Sequence, residues 1–143
     1  MFGEDKFIQK YYKNKKKGFY IDVGAYHPLD GSNTQLLYKK GWSGINLDIN
    51  YYSIKLFNFL RKRDRNIHSG VSIKKGKLTM FYRKEINMLN TLDEKMAKIN
   101  FRKGYYKKHI QVDTLDHLLK KNLKKNDKID FINIDAEGLE LKV

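Results

Sequence analysis

A chain of 143 residues without a single cysteine is long enough for one domain with a real core, and it excludes a disulfide framework, a thiolate metal site and a cysteine nucleophile. The formal charge of +14 raises the question of an anionic partner, but lysine carries most of it, and specific phosphate or base recognition leans on the planar fork of arginine. A solvated lysine surface is therefore expected, with nucleic acid the less favoured partner.

No apolar stretch approaches the roughly 20 residues that cross a bilayer. The start, MFGEDKFIQKYY, lacks the positive beginning and apolar middle of a signal peptide. His27, His68, His109 and His117 are scattered without metal-ligand spacing. A soluble, cytoplasmic protein with no membrane contact and no metal site is the expectation.

Phe7, Ile8, Tyr11 and Tyr12 recur at helical spacing ahead of KNKKKG, which predicts an amphipathic helix within residues 1–17, closed by Gly18. FYIDV is a short apolar run beside glycine, the pattern of a strand buried on both faces of a parallel sheet. From Ser32 the period changes. Ser32 and Gln35 are spaced as a capping box, Leu36, Leu37 and Tyr38 supply apolar surface, and Gly41 stops the helix. SGINLDIN restores alternation, so strand, helix and strand over about 30 residues form a βαβ unit on a parallel sheet.

A second helix is expected over YYSIKLFNFLRKR, with Ile54, Phe57 and Leu60 on one stripe. NIHSGVS reads as a weak third strand, and KLTMFYR as a strand in a hairpin with what precedes it. Residues 85–108 carry no decisive pattern. VDTLDHLLKKNL reads as a helix capped by Asp113 or Thr114, with Leu115, Leu118, Leu119 and Leu123 on its buried face. KIDFINIDAEG then repeats the earlier theme of an apolar strand ending in an acid.

In open α/β sheets, ligands bind beyond the carboxyl ends of the strands. The first predicted strand is followed there by Asp22, Gly24 and Ala25, the second by Asp48 and the last by Asp135 and Glu137. Glycine at 24 lets backbone approach a ligand and offers N–H groups at the turn. Asp48, 24 residues further on, lies close to the offset of about 20 residues at which an acid holds a ribose diol. A dinucleotide site needs G-x-G-x-x-G; here Gly24 is followed by Ala25, Tyr26, His27 and Pro28, so the pyrophosphate cradle is missing. An acid before the glycine, a wider loop and a ribose acid suit an adenosyl ligand that carries an amino acid, S-adenosyl-L-methionine. The competing explanation for Asp48 and Asp135 is helix capping, and for His27 a purely structural loop role.

The ordered set GED at Gly3 to Asp5, FYIDVGAYHP, SNT, GWSGINLD, LNT at Leu89 to Thr91, TLDHLL and IDFINIDAEGLEL resembles the FkbM-type S-adenosylmethionine-dependent methyltransferases, nearly from end to end. The resemblance implies a Rossmann-like class I methyltransferase fold, a mostly parallel sheet flanked by helices, and methyl transfer to a hydroxyl oxygen of a small molecule or glycan. Residue by residue it implies that Asp22, Gly24 and Ala25 form the first cofactor motif, with Tyr26 and His27 in the methionine-side loop. Asp48 is the implied ribose acid, and Gly70 and Val71 the implied adenine contacts. Asp135 and Glu137 match the D-x-E-G signature near the transferred methyl, as base, as acceptor-binding residues or as ligands to a divalent cation.

The family's chain continues past this point, so a single methyltransferase domain truncated after its fourth principal strand is expected. Residues 1–17 would be its N-terminal helix and residues 18–143 its βαβ cofactor-binding core. DFINI would then lie at a sheet edge, open to a second copy or a complementing chain.

Overall fold

The computed structural model describes residues 4–135. Two sheets form the framework. The first is all parallel, in the order β3-β2-β1-β7, from β1 (Phe19–Val23), β2 (Ser43–Asp48), β3 (Arg65–His68) and β7 (Phe131–Ile134). Ile21 stands level with Ile45 on one side and Ile132 on the other. The second sheet, β4-β6-β5, joins β4 (Gly70–Val71), β5 (Gly76–Tyr82) and β6 (Tyr106–Asp113).

Alternation along β1 explains how the helices divide between its faces. Phe19, Ile21 and Val23 join Ile45, Leu47 and Leu118 of α5 (Leu115–Asn122) in one core. Tyr20, one residue out of phase, packs with Ile8 of α1 (Glu4–Tyr11), Leu37 of α2 (Gln35–Lys39) and Trp42 on the other. β1 is buried along its whole length, as its continuous apolar run implies. The chain steps from β1 through α2 to β2 and through α3 (Tyr51–Leu60) to β3, then returns to the opposite side of β1 with β7. The gap between β1 and β7 is thus the point where strand order reverses, the usual place for a ligand cleft.

This α/β architecture agrees with the expected Rossmann-like sheet, and β7 occupies its edge among the described residues. Ile132 and Ile134 are 46% and 38% exposed there. No helix among the described residues is long and apolar enough to cross a membrane.

Several local expectations are corrected. The first helix stops at Tyr11 rather than at Gly18, and Gly18 instead seats the Trp42 ring: a Cβ there would lie 2.5 Å from it. No Ser32–Gln35 capping box forms. α2 begins after Thr34 without a side-chain cap, because the Ser32 and Thr34 hydroxyls are drawn into a buried network. Gly41 does end α2, with φ of +102°. NIHSGVS splits into β3 and β4, which belong to different sheets.

β5 forms no hairpin with what precedes it. Its antiparallel partner is β6, from Gly76↔Val112 to Tyr82↔Tyr106. Val112 and Asp113 therefore end a strand, and α5 starts after Thr114, whose hydroxyl accepts from His117 N at 3.2 Å. The unassigned 85–108 stretch contains α4 (Glu94–Asn100), capped by Asp93.

Candidate functional site

Two adjoining clefts open beyond the carboxyl ends of β1, β2 and β7. The first, of about 620 Å³ including its mouth, is walled by the turn after β1, the β2 end and α3 start, Ser69 and Val71, and residues 87–92. The second, about 480 Å³, is lined by Asp22, Gly24, Ala25, Asn33, Asn133 and others. Gly24, Tyr26, Met88 and Asp135 border both. Carboxylates are the charged groups in the two linings, with no lysine or arginine among the described lining residues.

The turn after β1 is held by its own backbone. Gly24 N and Ala25 N both donate to Leu47 O, at 2.9 and 3.1 Å, and Tyr26 N donates to Asp48 Oδ2 at 2.8 Å. The expectation that Gly24 and its neighbour present free N–H groups is corrected, since parallel pairing with β2 continues one step past β1 and takes them up. Gly24 adopts φ of 74°, which glycine adopts at no steric cost. Tyr26 sits at φ 56°, a left-handed position that costs a non-glycine residue about 1–2 kcal/mol.

Asp48 is 7% exposed, with Oδ1 accepting from Asn50 N at 2.7 Å and Oδ2 from Tyr26 N. Burial raises its carboxyl to about 6, against the pull of those two N–H groups. It does not cap the next helix. Asn50 does, its Oδ1 accepting from Tyr52 N at 2.9 Å and Ser53 N at 3.2 Å.

Asp22, 1% exposed, accepts from Thr34 Oγ1 at 2.7 Å and Asn133 Nδ2 at 2.9 Å. Burial pushes its carboxyl up, and these two bonds and the Arg61 charge hold it partly down. Arg61, also 1% exposed, lies between the Phe57 and Tyr38 rings. It donates to Thr34 Oγ1 and Ser32 Oγ at 2.7 Å each and twice to Pro28 O, at 3.1 and 2.5 Å. One buried guanidinium thus ties the 26–34 loop to the end of α3.

Of the expected site residues, Asp22, Gly24, Ala25, Tyr26, Asp48, Val71 and Asp135 line one cleft or both. His27 and Gly70 line neither. His27 Nδ1 accepts from Leu29 N and Asp30 N at 3.2 and 2.9 Å, the structural loop role. Gly70 is covered by Val112, 2.7 Å from where its Cβ would stand, so it serves sheet packing, and Ser69 borders the cleft beside Val71. Glu137 lies outside the described residues.

Sequence reading missed Arg61, Asn50, Ser53, Asn90 and Asn133. Asn90 closes the far wall: its Nδ2 donates to Lys84 O at 3.0 Å and Glu85 O at 3.2 Å, clipping a loop whose ends meet where Phe81 and Thr91 exchange backbone bonds. The SNT and LNT triplets were visible as strings, but what they fasten was not. Asn50 Nδ2, Ser53 Oγ and Asn90 Oδ1 are buried and have no hydrogen-bond partner among the described residues, and each such group costs about 1–3 kcal/mol.

No group of three or more potential metal ligands occurs among the described residues. Neither a curated protein nor a solved structure matches the chain. Residues 22–143 match the family model described as the methyltransferase FkbM domain. That span starts at the acid of β1 and takes in the described residues that line both clefts and the strands β2, β3 and β7, and the chain belongs to the FkbM methyltransferase family.

Proposed function

We propose that this methyltransferase is S-adenosyl-L-methionine-dependent and methylates a hydroxyl oxygen of a small molecule or glycan. The observation that carries the proposal is the charge of the clefts: Asp22, Asp48 and Asp135 line them, without lysine or arginine among the described lining residues, in a chain of net charge +14. A polyphosphate or a nucleic-acid backbone is repelled by such a lining, whereas a ligand with ammonium and sulfonium charges and a ribose diol is favoured.

The residues present fit that ligand. Each Asp48 oxygen accepts one N–H and keeps a further lone-pair site, enough for a ribose diol. Leu47, Ile49 and Val71 give an apolar wall for a base. Asp22 and Asn33 line the second cleft, where acceptors suit an ammonium. Gly24 and Tyr26 border both clefts, and Ala25 lines the second. When bound, the cofactor supplies an electrophilic methyl carbon on its sulfonium sulfur.

The protein's own contribution is to place the acceptor hydroxyl and accept its proton. Asp135, whose N–H is fixed by Val23 O at 2.9 Å, is the base we assign, and Glu137, outside the described residues, is the second acid of the same signature. Titration calorimetry with S-adenosyl-L-methionine tests the proposal. Binding to the wild-type chain is expected, with a loss of tenfold or more in Asp48→Ala; a folded sample that shows no binding refutes it.

A further inference from the structure

The segments that lead into β1, β2, β3 and β7 meet at the amino ends of the parallel strands, the pole of the first sheet opposite the clefts. Hydrogen bonds join them there. Lys40 Nζ donates to Lys13 O at 2.7 Å, the Tyr12 hydroxyl to Asp130 O at 2.6 Å, and Arg65 Nη2 to Asp127 Oδ2 at 2.7 Å. Residues 12–17, 39–42, 61–65 and 120–130, which build this pole, hold fifteen lysines and arginines against three aspartates.

The three acids are already engaged. Asp64 accepts from the Tyr20 hydroxyl and Gly44 N, Asp127 from Arg65 and Lys124 N, and Asp130 from Lys15 and Phe19 N. Arg61 is buried and Arg65 is paired, so the charge left at the surface is mainly lysine, with Lys16, Lys17, Lys121 and Lys125 exposed. Helix dipoles favour lysine in a last turn, which accounts for Lys39, Lys120 and Lys121. That bias does not extend to the lysines at 15–17 and at 124, 125 and 128, which lie outside helices.

Large apolar side chains stand exposed in the same region. Tyr11 is 74% and Phe59 71% exposed, in the last turns of α1 and α3 that run down to this pole, and Phe7, one turn back on α1, is 69% exposed. Ile8 is buried with Tyr20, Leu37 and Trp42, so α1 spends one residue on the core and turns Phe7 and Tyr11 outward. Base and phosphate recognition in a nucleic acid leans on arginine forks, whereas an anionic lipid surface attracts clustered lysines whatever their geometry and takes neighbouring aromatic side chains into its headgroup region.

We propose that this pole docks on an anionic lipid surface, with its lysines against the headgroups and Phe7, Tyr11 and Phe59 entering the interface. The expectation of no membrane contact weighed the charge as a total; the fold gathers it at one end and sets apolar side chains beside it. Because the strands are parallel, the clefts lie at the far end and stay open to solvent in the docked protein.

Co-sedimentation of the full chain with vesicles tests this, using phosphatidylcholine alone or with about one part in three phosphatidylglycerol. Binding is expected to the anionic vesicles only, and to fall steeply as salt is raised. Each lysine near such a surface contributes about fivefold in affinity, so Lys16→Gln, Lys17→Gln and Lys125→Gln together should weaken binding at least twentyfold. The same charge removed from the second sheet and its turn, as Lys74→Gln, Lys75→Gln and Lys77→Gln, should change it less than threefold. Phe7→Ser with Phe59→Ser, both at exposed positions, should weaken it at least fivefold.

The inference is overturned if the wild-type chain ignores anionic vesicles or binds neutral ones equally, if the two lysine triples weaken binding alike, or if the phenylalanine pair has no effect. A mixed-sequence single-stranded RNA that binds more tightly than the anionic vesicles at the same salt also overturns it, and gives the pole to nucleic acid instead. None of these results depends on which ligand the clefts hold.

Discussion

Arg61→Met isolates the contribution of the guanidinium that fastens the 26–34 loop. Methionine keeps much of the apolar stem against Phe57 and Tyr38 and removes all four hydrogen bonds to Pro28, Ser32 and Thr34. Each bond to a buried charged group contributes about 1.5–3 kcal/mol, and the four are not additive because they share one group. Removing one partner from a buried charged network costs about 3–5 kcal/mol, a large share of the 5–15 kcal/mol typical of a domain.

The loss should depend on pH through Asp22. Its carboxyl is already raised above 3.8 by burial, and Arg61 is one of the influences that hold it down. Without that charge the folded value rises further. A raised folded value gives stability that is present below the unfolded value and lost as pH climbs through the folded one. The deficit of the variant should therefore be widest near neutral pH and narrower in acid. Urea unfolding at both ends of that range, with hydrogen exchange over residues 26–34, measures it. A loss below about 1 kcal/mol, or an equal loss at both pH values with unchanged loop exchange, refutes the role given to Arg61.

Asp48 makes a separate prediction. With its carboxyl raised from 3.8 to about 6, the ligand-free protein should gain up to roughly 3 kcal/mol from this group as pH falls through that interval. Affinity for S-adenosyl-L-methionine should decline over the same interval; thermal unfolding and calorimetry at stepped pH follow the two trends, and Asp48→Asn should abolish both. Gly18→Ala forces a Cβ within 2.5 Å of the buried Trp42 ring, which should cost about 1–3 kcal/mol and shift tryptophan emission. Gly76→Ala, with nothing within 4 Å, serves as its control and should stay within about 0.5 kcal/mol of wild type.

The parts of the fold legible in the sequence are those whose signal is local. FYIDV and SGINLD announce buried parallel strands because both faces are covered, and YYSIKLFNFL carries its apolar stripe within three turns. β6 was hidden because alternate residues of YKKHIQVD face solvent as lysine, histidine and glutamine, and its partner β5 is distant in sequence. Arg61 looked like an ordinary charge trailing a helix; only the return of the 26–34 loop over α3 buries it. The acids at the strand ends were legible as positions, since strand ends are where such sheets bind. How their oxygens are shared with Thr34, Asn133, Tyr26 and Asn50 depends on loop paths that no spacing encodes.

Between β3 and β4 the chain passes from one sheet to the other across Ser69 alone, whose N–H is fixed to Asp48 O at 3.1 Å and whose hydroxyl is fixed to Gly70 O at 3.0 Å. The two sheets are thus creased along a single pinned residue that borders the first cleft, with no slack for one to swing away from the other. A pinned joint of one residue resists a change of angle between the sheets, and the loop that Asn90 clips to Lys84 O and Glu85 O borders the same cleft.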